Sequence, residues 1–213
     1  MKVVLLGATG FVGSALLKEA LDRGHRVTAI VRDLDKLEKR DGLIPRTGDV
    51  YDTASLSGLI EGNDALISAF NPGWKNPNLY DDQVRGTRSI IAAAKKAGIK
   101  RVLWVGGAGG LEVKPGVRVV DDPAPPDWVR PGSLAAIDAL DQLRKEPDLE
   151  WTFFAPSAEM KPGERTGKFR LGGNQLLVNS AGHSTISVQD YAVAMIDELE
   201  NPTHIRKRFS VGY

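Results

Sequence analysis

Met1-Lys2-Val3-Val4-Leu5-Leu6-Gly7-Ala8-Thr9-Gly10-Phe11-Val12-Gly13 is the stretch that decides the fold. Val3–Leu6 reads as a short buried strand. It runs into glycines at positions 7, 10 and 13, and Ser14–Arg23 then keeps a helical period. Between a strand and a helix these glycines have separate uses. Gly7 permits a sharp turn, Gly10 lets backbone approach a pyrophosphate, and Gly13 lets helix and strand pack closely. Phe11 and Val12 open a helix whose free N–H groups and positive dipole end would face phosphates, and Thr9 adds a hydroxyl at the same mouth. A ligand-free tight turn is the alternative for an isolated motif of this kind; the strand before it and the helix after it favour a dinucleotide site.

The same alternation continues down the chain. Val27–Val31 precedes a helical segment Leu34–Lys39, and Ile44–Gly48 precedes a short helix starting near Asp52-Thr53. Asp64–Phe70 precedes Leu79–Ala97, which Gly98 closes as a C-cap. Val102–Val105 precedes Leu134–Lys145, and Trp151–Phe154 follows. Strands alternating with helices imply crossover units and a parallel sheet. The expectation is an α/β fold, a doubly wound parallel sheet in one domain spanning 1–213, with 156–213 contributing a small substrate-side lobe. Val188, Tyr191, Ala192, Met195, Ile196 and Leu199 form a late helix behind a Ser187/Asp190 capping box. The proline-dense segment Val120–Pro131 reads as a loop, and Pro156–Gly173 as a second loop-rich span suited to the wall of a substrate pocket.

Composition narrows the function. The 213 residues carry 28 Lys and Arg against 27 Asp and Glu, so no net field draws the chain to nucleic acid or to an anionic membrane. With no cysteine there is no disulfide, thiolate metal site or cysteine nucleophile. His183 reads as a turn residue before the capped helix and not as a proton donor, and His25 and His204 lack partners at ligand spacing, so no metal site is expected. Val3–Leu6 is too short for a leader's apolar core, and no run approaches the ~20 apolar residues of a membrane span. A soluble, cytoplasmic protein is the expectation, with monomer and homodimer both open.

"GATGFVGSALLKEALDRGHRVTAIVRD" resembles the opening of the atypical and extended short-chain dehydrogenase/reductases, whose pattern is GxxGxxG. "TGDVYDTASL", "GNDALISAF" and "VRGTRSIIAAAKKAGIKRVLWVG" resemble that superfamily's adenine-contacting segment, fourth strand, and long helix with fifth strand. "FFAPSAEMKPGERTGKFRLGG" and "HSTISVQDYAVAMIDEL" are similar to the C-terminal segments of its NAD(P)H-binding, NmrA-like and flavin/biliverdin-reductase-like subgroup. The resemblance therefore covers essentially the whole chain and implies a Rossmann fold. It also implies that Asp49 and Val50 flank adenine, that Ala69 and Phe70 line the cofactor from the fourth strand, and that Pro156, Ser157 and Ala158 lie by the nicotinamide. Val50 and Phe70 as core, and Pro156 as a strand end, are the plain alternatives.

NAD sites place a carboxylate at the end of the second strand, and NADP sites place arginine nearby. Val31 stands at the acid's position and Arg32 follows; Asp33 falls one or two steps past the ribose. Arg32, helped by Lys36, would hold a 2′-phosphate, which favours NADP(H) over NAD(H). Alternatively both only solvate a loop.

The Tyr-x-x-x-Lys pair of classical relatives is absent, because Tyr51, Tyr80 and Tyr191 lack a lysine four residues on. Gly106 and Gly107 occupy the place of the serine that usually follows the fifth strand. The remaining polar candidates are Asn71, Tyr80, Glu159, Arg165 and Thr166, with Trp74 as the aromatic for a flat substrate. "PGERTG" matches the subgroup and makes Arg165 either a substrate ligand or a loop clamp on Glu159 or Glu164. The expected function is NADPH-dependent reduction of a flavin, quinone or other small conjugated acceptor, since direct hydride transfer to such an acceptor needs no tyrosine acid. The alternatives are a non-enzymatic NADP(H) sensor of NmrA-like type and an epimerase or dehydratase.

Overall fold

The computed structural model describes residues 1–121 and 126–213. In chain order come β1 (Lys2–Leu6), α1 (Phe11–Asp22), β2 (Arg26–Val31), β3 (Leu43–Thr47), α2 (Thr53–Ile60), β4 (Ala65–Ser68), α3 (Leu79–Lys96) and β5 (Arg101–Val105). A small hairpin, β6 (Glu112–Lys114) and β7 (Val117–Arg118), precedes α4 (Arg130–Leu143) and β8 (Glu150–Ala155). The rest is β9 (Glu159–Lys161), β10 (Arg170–Gly172), β11 (Thr185–Ser187), α5 (Val188–Glu200) and β12 (Lys207–Gly212).

The central sheet has the order β10-β12-β8-β5-β4-β1-β2-β3, with every pairing parallel except the β10 edge. Its β3-β2-β1-β4-β5-β8 portion is the 3-2-1-4-5-6 order of the doubly wound fold. The order reverses between β1 and β4, so the cleft opens at the carboxyl ends of those strands. Side chains alternate across the sheet. Val3, Leu5, Val27, Ala29 and Ile67 meet α1 and α5 on one face, while Val4, Leu6, Leu66, Val102 and Trp104 meet α2, α3 and α4 on the other.

Several local expectations change. Leu34–Lys39 forms only a 3-10 turn at Leu34–Lys36: Asp33 caps its start, accepting from Asp35 N at 3.1 Å, and the backbone is already extended at Leu37. The helix expected from Leu134 begins at Arg130, since Pro131 in a first turn gives up an N–H that would be unpaired anyway. Val120–Pro131 is accordingly less of a loop than its prolines suggest. It holds 3-10 turns at Val119–Asp121 and Asp127–Val129, while 122–125 lie outside the described residues. Of 156–213, α5 packs beside α1, β12 and β10 extend the main sheet, and β9 and β11 pair with each other outside it. Among the described residues no helix is long and apolar enough to cross a membrane.

Ser187 caps α5, its Oγ accepting from Asp190 N at 3.0 Å. The reciprocal arm of the capping box is diverted. The Asp190 carboxylate instead accepts from Thr166 Oγ1 (2.5 Å), Gly167 N (2.8 Å) and the Tyr213 hydroxyl (2.8 Å). Tyr191 is fully buried against Phe154 and donates to the Phe154 carbonyl at 2.7 Å, and burial pushes its phenol well above the usual range. That carbonyl also accepts from Gly106 N, so Tyr191→Phe leaves it one partner. The substitution should cost about 0.5–1.5 kcal/mol, read from the denaturant midpoint, with no effect on ligand binding.

Candidate functional site

The glycine loop is built as a cradle. Gly7 has φ +78, and a Cβ there would lie 2.4 Å from the Ala69 carbonyl oxygen at the end of β4. A Cβ on Gly13 would lie 1.9 Å from the Gly7 carbonyl oxygen. Gly7 and Gly13 are thus demanded by the protein's own packing, and Gly13 does not line the cleft. Gly10 differs. A Cβ there would meet no protein atom within 4 Å except Gly7 O at 3.3 Å and would otherwise project into open space beside α1. Gly10 is the N-cap of α1 and supplies no side-chain bond, and the first turn holds no acid. The positive end of α1 is left to a ligand, which is the fit test for a pyrophosphate.

The ends of the parallel strands complete the wall. Val31 and Arg32 follow from β2; Lys36 turns away to Asp33 (3.6 Å) and does not reach the cleft. Asp33, taken up by its turn and by Lys36, is likewise absent from the lining. Beyond β3, Asp49 Oδ1 accepts from Tyr51 N (3.0 Å), and Val50 and Tyr51 line the same end. The Tyr51 ring meets Phe70 edge-on (5.8 Å) and lies under the Arg85 guanidinium (4.0 Å). Burial, with the charge of Asp82, holds the Tyr51 phenol above its ordinary value.

Ala69, Phe70 and Asn71 follow β4. Phe70 lies on Gly86 of α3, where a Cβ would come within 2.3 Å of its ring, and Gln83 Nε2 donates to its carbonyl (3.2 Å). Gly106 and Gly107 follow β5. A Cβ on Gly106 would stand 2.2 Å from the Phe153 ring, which gives a packing reason for the missing serine. Pro156, Ser157 and Ala158 close the wall after β8; the buried Ser157 hydroxyl donates to the Val211 carbonyl (2.8 Å).

The cleft, about 1340 Å³, exceeds the ~300–1,000 Å³ usual for one small ligand. Its lining also includes the apolar Val113, Val120, Met160 and Leu176 and the indoles of Trp74 and Trp128, with Arg130 and Ser133 as polar neighbours. These two indoles make an edge contact at 5.9 Å and stay 53% and 65% exposed. A Cβ on Gly132 would strike the Trp74 ring at 2.5 Å, so the start of α4 is cut back to seat it.

Four expected substrate residues stand elsewhere. Tyr80 is exposed on the first turn of α3 and Glu159 pairs with Lys161 (3.3 Å). Arg165 forks onto Glu19 of α1 with two 2.7 Å bonds, and Thr166 bonds Asp190. Arg165 is therefore a clamp, though not on Glu159 or Glu164. Its hydrogen bonds hold the Glu19 carboxyl below the usual range against the opposing effect of burial. His25 and His204 pair with Glu200 and Glu198, each at 2.8 Å. Among the described residues no three side chains are grouped to hold a metal. Tyr51, Gln83 and Trp128 are lining residues that sequence reasoning missed. Tyr51 directly follows the recognised "GDV", whereas Trp128 lies in a segment dismissed as loop.

A family described as NAD(P)H-binding matches residues 7–202. The protein YwnB of Bacillus subtilis is 38% identical over 214 aligned residues, covering 99% of this chain and 98% of its own. A Bacteroides thetaiotaomicron structure described as a candidate epimerase is 47% identical with a TM-score of 0.94, covering 100% of this chain and 96% of its own. A candidate NADH-flavin reductase from Streptococcus pneumoniae is 35% identical with a TM-score of 0.85, covering 100% and 99%.

Proposed function

The chain belongs to this NAD(P)H-binding family, and on that premise we propose that it is an NADPH-dependent reductase of a flavin, a quinone or another small conjugated acceptor. The observation that carries the reading is the division of the cleft. One part is an uncapped helix terminus, the Gly10 cradle and Arg32; another brings the indoles of Trp74 and Trp128 together with the apolar Val113, Val120, Met160 and Leu176. The bound cofactor would supply hydride chemistry. Gly7, Thr9, Gly10, Phe11 and Val12 would hold its pyrophosphate, Asp49, Val50 and Tyr51 would border its adenine, and Ala69, Phe70, Asn71, Gly106, Gly107 and Pro156–Ala158 would orient its reactive ring. Met160 and Leu176 would serve as part of the substrate-side wall. The tryptophan pair would hold a planar acceptor, and the acceptor's proton would come from solvent.

Arg32 carries the choice of nucleotide. Among the described residues it has no carboxylate within ion-pair distance, and Val31 occupies the acid's place. Arg32→Ala should weaken NADPH binding about ten- to a hundredfold, the loss of a ~1.5–3 kcal/mol charged hydrogen bond, and leave NADH nearly unchanged. The difference should shrink as salt rises, because the contact lies on an exposed rim. Equal losses for both nucleotides would return Arg32 to a loop-stabilising role.

The reaction itself is tested by incubating the protein with NADPH and a panel of flavins and quinones while following nicotinamide absorbance. Net oxidation supports the reductase. The candidate epimerase neighbour favours a second reading, in which the cofactor is recycled and no net oxidation accompanies conversion of a sugar nucleotide. Tight NADP(H) binding with neither reaction would assign the chain as a sensor.

A further inference from the structure

A second concavity, about 620 Å³, lies between the C-terminal end of α4 and the starts of β8 and β12. Trp151 and Lys207 stand at the amino ends of their strands, so this groove is on the edge of the sheet opposite the cofactor cleft. Four cations line it, Arg144, Arg206, Lys207 and Arg208, against one acid, Glu146. Glu146 is engaged by Lys95 at 2.6 Å, and Arg144 pairs with Asp141 at 2.9 Å. The other three cations have no carboxylate within 4.0 Å among the described residues.

Their partners are neutral. Arg208 donates to Asn174 Oδ1 from Nε (3.1 Å) and Nη2 (2.8 Å) and to the Gly110 carbonyl from Nη1 (2.7 Å). Arg206 uses Nε alone, on the Leu149 carbonyl (3.2 Å), which leaves both Nη groups for another acceptor. Burial, and next the like charge of Arg144, hold the Arg208 guanidinium below its usual range; Asp141 and Glu112 oppose this only from beyond ion-pair distance. The fold thus gathers cations around a half-buried guanidinium and offsets them with dipoles, an arrangement that a bound anion would relieve. Arg206 is also the sole non-glycine residue with positive φ (+56) among the described residues, a conformation that costs energy and persists where the surroundings or a function impose it.

We propose that this groove is a second binding site, for a small phosphate-bearing anion. The Nη groups left free on Arg206, beside the Lys207 ammonium and the Arg208 guanidinium that line the same groove, suit a compact phosphate dianion. Inorganic phosphate and a phosphomonoester share that chemistry, so both serve as probes.

The test is calorimetric titration of the full-length protein with inorganic phosphate, and separately with glycerol 3-phosphate, at constant ionic strength. Because the uncapped end of α1 also attracts phosphate, each titration is repeated on Gly10→Asp protein, whose new carboxylate blocks that end. Saturable binding should survive Gly10→Asp and weaken about tenfold or more when Arg206→Gly and Lys207→Ala are added. Glycine suits the left-handed position, so the Arg206→Gly protein should melt no lower than its parent while losing the anion. Stronger binding of the ester would point to a phosphorylated metabolite, and equal binding to free phosphate. Loss of all phosphate binding in Gly10→Asp, or an isotherm unchanged by the groove substitutions, would overturn the proposal.

Discussion

Gly10→Asp is expected to abolish NADPH binding, by a hundredfold or more, while leaving the protein as stable as before or slightly more so. The two effects have one cause. Gly10 is the N-cap of α1 with extended backbone (φ −82, ψ 171), the conformation in which an aspartate side chain accepts from the first-turn amides. Aspartate is among the best residues at such a position, worth a few tenths of a kcal/mol over glycine, and the new Cβ meets only Gly7 O at 3.3 Å. The carboxylate would then occupy the N–H groups that a pyrophosphate requires and place a negative charge beside it. Fluorescence titration and a thermal melt on the same sample separate the outcomes. Retained affinity would make the opening motif only a turn, and a lowered melting temperature would mean that Gly10, like Gly13, is required by packing.

The second large effect is on stability. Glu198, buried on α5, accepts from Arg101 Nη2 (3.0 Å), Thr203 N and Oγ1 (both 3.1 Å), His204 N (2.9 Å) and His204 Nδ1 (2.8 Å). Arg101 begins β5 and is itself buried, so this pair ties the helix to the sheet. Glu198→Gln keeps the shape and removes the charge, stranding the guanidinium. Losing one member of a buried pair costs about 3–5 kcal/mol, which for a chain of this size lowers the melting temperature by roughly 10 °C. Burial alone would raise the Glu198 pKa, but the donors from His204 and Thr203 outweigh it and the carboxyl lies below its ordinary value. Its contribution is therefore complete above the unfolded carboxyl's pKa and is lost as pH falls through the folded one. Wild type should lose stability on acidification below about pH 4.5, the unfolded reference, and Glu198→Gln should lose less over the same range. Parallel pH–stability curves for the two proteins would contradict this.

The frame of the fold was legible because its signals are local. A strand, three spaced glycines and a helix lie within some twenty residues, and Gly98 and Ser187 mark helix ends by their own chemistry. What escaped was decided at long range or by a single competing bond. Leu34–Lys39 has a helical pattern and an N-cap at Asp33, yet the backbone turns extended at Leu37 after a single turn. Pro131 reads as a breaker yet sits where a helix tolerates it. Arg165 lies near two glutamates in sequence but pairs with Glu19, 146 positions away, because folding brings α1 and the 162–168 loop together. Trp128 becomes part of the cleft only by meeting Trp74 across 54 positions, and no periodicity in a proline-dense segment announces such a contact.

Gly106 carries a consequence for the history open to this fold. The Phe153 ring fills the volume that any side chain at 106 would need. Placing a hydroxyl-bearing side chain at 106 therefore takes at least two changes, and the first made alone either overpacks the sheet, at about 1–3 kcal/mol, or hollows out a core aromatic at about 3–5 kcal/mol. Neither intermediate gains a proton relay to offset that loss, since Tyr-x-x-x-Lys is absent as well. With Phe153 in place, acid–base chemistry would enter this cleft more cheaply through other lining positions than through 106.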